Sequence, residues 1–434
     1  MIGPFSPPAG GGDDVLRGEG VLRLEPAPGV SSMPTVALFR SRRGGRALGA
    51  AVNAVLLIVG AVYLWCPVHH FPAALPFHGP QWYNPYAAIT SATSWRKVNL
   101  HAHSRAWAGL TNGQGSADDV LNHYRTMGYD AAPVSNYQEI SRASDADSTA
   151  LTVYEQGFNV RKTHFLAVAP RSVDWLDYPL LQGRDEEQHR IDRLRAASGA
   201  VIMAHPRLRR ALTDADLRAL TGYTAVEIGS NEERSEDAWN VALDAGRPVW
   251  AVANDDTHHG TSPNETGRYW TMIATASVDA ASIVAALQAG RVYAVFGHRG
   301  EADVAVSEMA VAGDTLSLAL TGAPAELFLV GSSGRVLDRR FAASGGRWVL
   351  PCDAAWVRVV VRTARTRLYL QPLLRTENGA TPRLVATTAK GPTLVRRALA
   401  ILLVLCVVAS ILTSRPRRTS AVVTDLDIVL REAA

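Results

Sequence analysis

Cysteine is scarce in this chain, with three in 434 residues. Cys66 and Cys406 fall inside strongly apolar runs and Cys352 stands alone, so neither a disulfide framework nor a CxxC metal knuckle can be assembled. Blocks of like charge are also missing. Forty-four Lys and Arg against 40 Asp and Glu leave a net charge of +4, and scattered arginines set the pI near 9.0, which gives no nucleic-acid footprint. No Gly-x-Ser-x-Gly elbow and no Gly-x-x-x-x-Gly-Lys-Ser/Thr loop occurs, leaving serine-hydrolase and P-loop chemistry without support.

Apolar residues, at 47%, are ample for a core. Two runs are apolar enough to cross a bilayer, residues 47–67 (containing AVLLIVGAVYLWC) and residues 397–414 (containing ALAILLVLCVVASILTS). Arg40, Arg42, Arg43 and Arg46 precede the first run and no Lys or Arg follows it until Arg96. Arg415, Arg417 and Arg418 follow the second. The positive-inside rule then predicts a two-pass membrane protein, with residues 1–46 as a disordered cytoplasmic tail, 415–434 as a cytoplasmic tail, and everything between the spans extracytoplasmic. Residues 68–94 form a juxtamembrane segment whose His69, His70 and His78 lack metal-ligand spacing, and 377–396 form a linker.

Between the spans, short β-branched runs alternate with helical ones. Candidate strands are 98–103, 130–137, 163–169, 200–205, 224–230, 248–254 and 269–276. Ser116 and Asp119 form a capping-box start to a helix closed by Gly128. Asp185 opens a second that ends near Gly199, Thr213 a third, Ser235 to Gly246 bracket a fourth, and Asp279 to Gly290 a fifth. Repeated strand and helix predict a parallel sheet closed into a barrel over 95–297. Residues 298–376 change to Val- and Leu-rich strands punctuated by Gly, Ser and Asp, which predicts a small antiparallel β domain.

Histidines gather at the predicted strand ends. His101 and His103 project to one side because strand side chains alternate. His205 closes AVIMAH, Asp256 and His258 follow PVWAVAN, and His164 opens THFLAVA. Imidazole and carboxylate without thiolate suit a catalytic divalent ion with open positions.

This succession, His-x-His, a later lone His, an apolar run ending in His-Pro, and Asp-x-His after a Val-Ala strand, resembles the PHP (polymerase and histidinol phosphatase) family. It spans residues 95–297, including the closing AALQAGRVYAVFG. The resemblance implies an α/β fold with a distorted (β/α)7 barrel, up to three metals and phosphoesterase activity. It implies that His101, His103 and Asp256 hold one metal, His164 and His205 a second, and His258 part of a third, with Asp256 and His258 catalytic. Ser135-Asn136 stands where the family has Asp-His, and Gly157-Phe158-Asn159 where it has Gly-x-Glu. With that bridging carboxylate missing, one or two ions (zinc, manganese or iron) are expected, with Glu227 as a candidate replacement.

Arg207 and Arg105, close after the histidine motifs, are candidates to neutralise a substrate phosphate. The glycines Gly109, Gly113 and Gly115 read as a connector. The expected activity is metal-dependent hydrolysis of a phosphoester through activated water, on a phosphorylated small molecule or envelope component. Two alternatives are a degenerate PHP fold that binds a ligand or partner without turnover, and a metal hydrolase of another bond.

Overall fold

The computed structural model describes residues 42–89, 93–111, 113–142 and 150–413. The expected cytoplasmic tails, except for the start of the first helix, and the arginines Arg40, Arg415, Arg417 and Arg418 lie outside these residues. The chain divides into two units between Ala54 and Val55, and all the described strands and the site belong to the second.

Local capping signals place the helices. Helix α1 is Arg42–Trp65. Helix α2, Ala117–Thr126, opens on a reciprocal capping box between Ser116 and Asp119. Helix α3, Arg184–Ala197, starts earlier than Asp185 because the Gly183 N–H donates to the Glu186 carboxylate. Thr213 and Asp216 cap α4, Asp214–Ala219, in the same way. Helix α5 is Glu236–Asp244, and α6, Ala280–Ala289, runs from an Asp279 cap to left-handed Gly290. Helix α7 is Lys390–Thr413.

Segment 98–103 lies between segment 131–137 on one side and 254–257 on the other, through parallel bridges Val98 to Ala131 and Ala102 to Thr257. Tyr137 bridges Glu155, and from there the strands Val153–Gln156, His164–Val168, Ala200–Ala204, Ala225–Gly229 and Trp250–Ala253 pair in order. The last continues into 254–257, so the segments follow one another around a closed ring. Two of its pairings are antiparallel, those of His164–Val168 with Val153–Gln156 and with Ala200–Ala204, so the all-parallel expectation fails there.

The strand Val153–Gln156 was not foreseen. All four of its residues are buried, including Glu155 and Gln156, so no apolar run marks it. The candidate at 269–276 is a strand, Tyr269–Thr275, but it pairs antiparallel with Ser94–Val98 and Val292–Phe296 in a different sheet. Segments 99–103 and 131–137 lack a regular ladder because side chains replace part of it. Leu100 N donates to Asn254 Oδ1 (2.8 Å), Asp255 N to Asn99 Oδ1 (2.9 Å) and Ala102 N to Ser135 Oγ (3.1 Å).

The ring packs on fully buried Phe165, Leu166, Ile202, Val226, Ile228 and Val252, each such side chain contributing about 1.5–3 kcal/mol. The predicted β region is antiparallel. Val304–Ala312, Thr315–Gly322 and Gly345–Val349 make a three-stranded sheet. Ala325–Val330, Val336–Ala343, Trp356–Arg362 and Arg367–Leu370 extend the sheet of Tyr269–Thr275, through the pairing of Arg367–Leu370 with Val292–Phe296.

Among the described residues one helix is long and apolar enough to cross a membrane, over Lys390–Ser410, whereas the apolar part of α1, Ala51–Trp65, is shorter. Leu403 Cδ2 of α7 lies 3.6 Å from where a Cβ on Gly60 of α1 would sit. Near Trp65 the chain is tied down by charge. Arg396 Nη2 donates to Glu186 (2.6 Å), and buried His69 contacts Asp185 (3.2 Å) and Asp192 (3.6 Å).

Burial alone would lower the His69 pKa, but its bonds to Asp185 and Asp192 outweigh it and raise the ring to about 9. A folded pKa above the unfolded value of about 6.5 stabilises fully below pH 6.5, and the benefit disappears as pH rises through 9. Wild-type protein is therefore expected to lose on the order of 1–2 kcal/mol between pH 6.5 and 9.5, after screening. Urea midpoints of wild type and His69→Gln across that range check it: equal slopes with pH would contradict the coupling.

Candidate metal centre

His101 and His103 come from segment 98–103, and both rings are buried beside the Asp256 carboxylate. The backbone fixes this proximity, since Asp256 N donates to His101 O (2.8 Å) and His103 N to Thr257 O (2.8 Å). His205 follows the strand Ala200–Ala204. His205 and Asp256 take φ of 25° and 50°, a left-handed region that costs an L-residue of order 1–3 kcal/mol, and the surrounding bonds must hold them there.

At the centre stands Glu155, which sequence reasoning missed. Its Oε2 lies 3.3 Å from His101 Nε2 and 3.1 Å from His103 Nε2. Its Oε1 lies 2.6 Å from His164 Nδ1 and 3.2 Å from His205 Nε2. Asp256 repeats the pattern, with Oδ1 3.1 Å from His101 Nε2 and 3.2 Å from His103 Nε2, and Oδ2 3.8 Å from His205 Nε2. The expectation of a missing bridging carboxylate is thus corrected: the glutamate sits two residues before Gly157.

The donor set fits divalent ions. His101 Nε2, His103 Nε2, Glu155 Oε2, His164 Nδ1 and Asp256 Oδ1 are buried and make no directed hydrogen bond among the described residues, although they crowd together. Four sets of three lie with ligand atoms within 4.8 Å: His101, His103 and Glu155; His101, His205 and Asp256; His103, Asp256 and His258; Glu155, His164 and His205. All six residues expected as ligands are therefore brought together. Nitrogen and oxygen ligands without sulfur suit zinc, manganese or iron.

Burial favours neutral imidazoles, yet Asp256, Glu227 and Glu155 raise His101 well above the ordinary range, Asp256 and Glu155 raise His103, and Glu155, Asp256 and Glu227 raise His205. Burial opposes charge on Glu155 too, but the histidines, His164 and His101 foremost, hold it well below the usual carboxylate range. His164 is lowered by burial, and burial with His103 brings His258 down to about 4. A cation competes with protons for these rings, so metal affinity rises with pH.

Ser135 and Asn136 serve the backbone: Ser135 Oγ accepts from Ala102 N and Asn136 Oδ1 from Ser104 N (2.9 Å). They hold segment 98–103 and the following Ser104. Glu265 holds that loop by accepting from the His258 and His259 N–H groups (both 3.0 Å).

Glu227 orients ligands. Its carboxylate faces His101 Nδ1 (3.1 Å) and accepts from Asn254 Nδ2 (2.8 Å) and His205 N (3.1 Å). It fixes the His101 tautomer so that Nε2 faces the other carboxylates. Glu227→Gln is expected to weaken metal affinity about 10–100-fold with the fold intact. Metal-buffer titration monitored by circular dichroism checks this, and an unchanged affinity would contradict the orienting role.

Arg207 is committed elsewhere: its guanidinium donates to Asp237 (2.8 Å), Asp214 (2.5 Å) and Leu212 O (3.1 Å). Arg105 lies on the loop whose Gly109 faces its guanidinium. Lys162, unforeseen, is the cation whose charge reaches both His164 and Glu232, and its Nζ lies 6.0 Å from the Tyr137 ring, which stacks on His103.

No family model matches the chain, and no curated protein does. A solved structure, from Bacteroides vulgatus ATCC 8482, of a two-domain protein containing a predicted PHP-like metal-dependent phosphoesterase is similar at 15% identity. The match covers 74% of this chain and 99% of that one, with a TM-score of 0.38, a likeness too loose to carry function.

Proposed function

We propose that the chain is a metal-dependent phosphoesterase of the PHP kind. The observation that supports this most is the pair of buried carboxylates, Glu155 and Asp256, each offering one oxygen to His101 and His103 and the other to His205. Two anions shared between histidine sets offset the repulsion of neighbouring dications, which suits a binuclear centre. Divalent ions held there supply Lewis-acid activation of water and neutralise charge on a phosphoryl group.

The protein's own groups do the rest. His101, His103, Glu155 and Asp256 would fix one position and His164 and His205 the other, with His258, half-buried at the edge beside His103 and Asp256, available to a further ion or to the substrate. Glu155 removes the main ground for a degenerate binding-only fold. Purified protein loaded with manganese or zinc should release phosphate from an aryl phosphate and lose that activity with EDTA. Metal-replete protein inert on aryl phosphates but active on amides or sugar esters would overturn the reading.

We assign Lys162 the phosphate-binding role expected of Arg207, alongside Arg105, whose candidacy stands. Lys162→Met is expected to raise KM about tenfold with little change in kcat. A fall in kcat at constant KM would place Lys162 outside substrate binding.

We further propose that the chain is a two-pass membrane protein whose α1 and α7 pair as an anchor, with the site extracytoplasmic. Supporting it are the apolar faces of Leu56, Ile58, Leu402 and Leu405, all exposed, and the approach of Gly60 to Leu403. Release of the full chain from membranes by alkaline carbonate would refute the anchor. Protection of Cys352, exposed, from impermeant maleimide in intact cells would refute the orientation.

A further inference from the structure

A cavity of about 220 Å³ away from the metal ligands is lined by Arg234, Arg268, Arg362, Arg365 and Arg367, and no carboxylate lines it. Only Arg362 and Arg365 have acidic partners among the described residues, Glu326 and Glu301, the latter at 3.6 Å. Aromatic faces and an amide hold two of the remaining guanidinium groups. Arg234 lies over Phe296 (5.7 Å), and Arg268 lies over Tyr269 (5.5 Å) while donating to Asn231 Oδ1 (3.0 Å).

Five cations gathered around one small polar space repel one another, and Glu326, Glu301 and Asp303, whose carboxylate accepts from the lining Thr363 (2.7 Å) and feels Arg365, balance them only in part. Four of the five, Arg234, Arg268, Arg365 and Arg367, are exposed at the surface. Stacking and hydrogen bonding still tie Arg234 to Phe296 and Arg268 to Tyr269 and Asn231, and the planar forks match the edges of a tetrahedral oxyanion. Loop 230–235 separates this cavity from the metal centre. Glu232 on that loop feels Asp256, His205 and His101, while Arg234 lines the cavity.

We propose that the arginine cavity is a second, metal-independent site for a phosphate-type oxyanion carrying two or more negative charges. It does not depend on the phosphoesterase reading, since none of its residues is a metal ligand. The ion is either free phosphate or the phosphate of a small organic ligand.

The test uses the full chain with EDTA present, following thermal unfolding during titration with inorganic phosphate at constant ionic strength. Wild type and His103→Ala should be stabilised alike. The Arg234→Gln/Arg367→Gln double variant should need about tenfold more phosphate for the same shift. Should that variant not fold, Arg234→Lys/Arg367→Lys keeps the charge but not the fork, and should need severalfold more.

Phenyl phosphate acting as strongly as phosphate assigns the site to an organic ligand, and a weaker effect assigns it to the free ion. A wild-type shift no larger than chloride gives, an unaltered titration in both arginine variants, or an effect lost in His103→Ala but kept in the arginine variants would overturn the proposal.

Discussion

Glu155→Gln is expected to lower bound metal by at least one ion per chain and phosphoesterase turnover by at least about 10²–10³-fold. The substitution keeps shape and removes one negative charge from a fully buried position that faces His101, His103, His164 and His205. Glutamine offers one carbonyl oxygen where two carboxylate oxygens serve two histidine sets, and its amide N–H groups point donors where ligand atoms converge. With Asp256 as the remaining shared anion, two neighbouring dications would face large uncompensated repulsion. Metal content by mass spectrometry and aryl-phosphate turnover decide the matter. Wild-type metal content in Glu155→Gln would remove the bridging role, and low metal with an unfolded circular dichroism spectrum would mark a folding defect instead.

The second large effect belongs to Gly157→Ala. Gly157 has φ of 150°, and a Cβ there would lie 2.4 Å from His164 Cδ2 and 3.0 Å from Thr163 O. The backbone at Thr163 cannot retreat without disturbing the strand His164–Val168, so the His164 ring must leave its place beside Glu155. A cost of about 2–4 kcal/mol is expected, with turnover falling as His164 is displaced. Gly128→Ala is the control: its φ is 74° and nothing lies within 4 Å, so a cost of about 1 kcal/mol without loss of turnover is expected. Equal urea midpoints for the two variants, or full activity in Gly157→Ala, would show that His164 is not confined by this glycine.

The helices were legible because their signals are local. Ser116 with Asp119, Thr213, and Asp279 with Gly290 each act within one or a few turns, and all are helix ends in the structure. The histidine motifs were legible as well, since alternation along an extended segment already sends His101 and His103 to one side. Glu155 escaped because it lies in a short, wholly buried strand with polar residues, where neither an apolar run nor a turn signal stands out. Arg207 misled for the converse reason. Proximity to His205 in sequence suggested a phosphate contact, but Asp214 and Asp237, from α4 and α5, claim its charge.

The amino-acid sequence by itself determined an α/β chain with six side chains of metal-ligand type that the fold gathers, antiparallel strands after them and an apolar helix near each end of the described residues. Tertiary structure decided which carboxylate the histidines share, how Glu227 orients them, and that two of the ring's pairings run antiparallel. Helix caps and side-chain alternation are set by bonds between near neighbours. The meeting of Glu155 with His101, 54 positions away by number, is set by backbone bonds and side-chain surrogates such as Asn99 and Asn254, whose partners only the closed ring supplies.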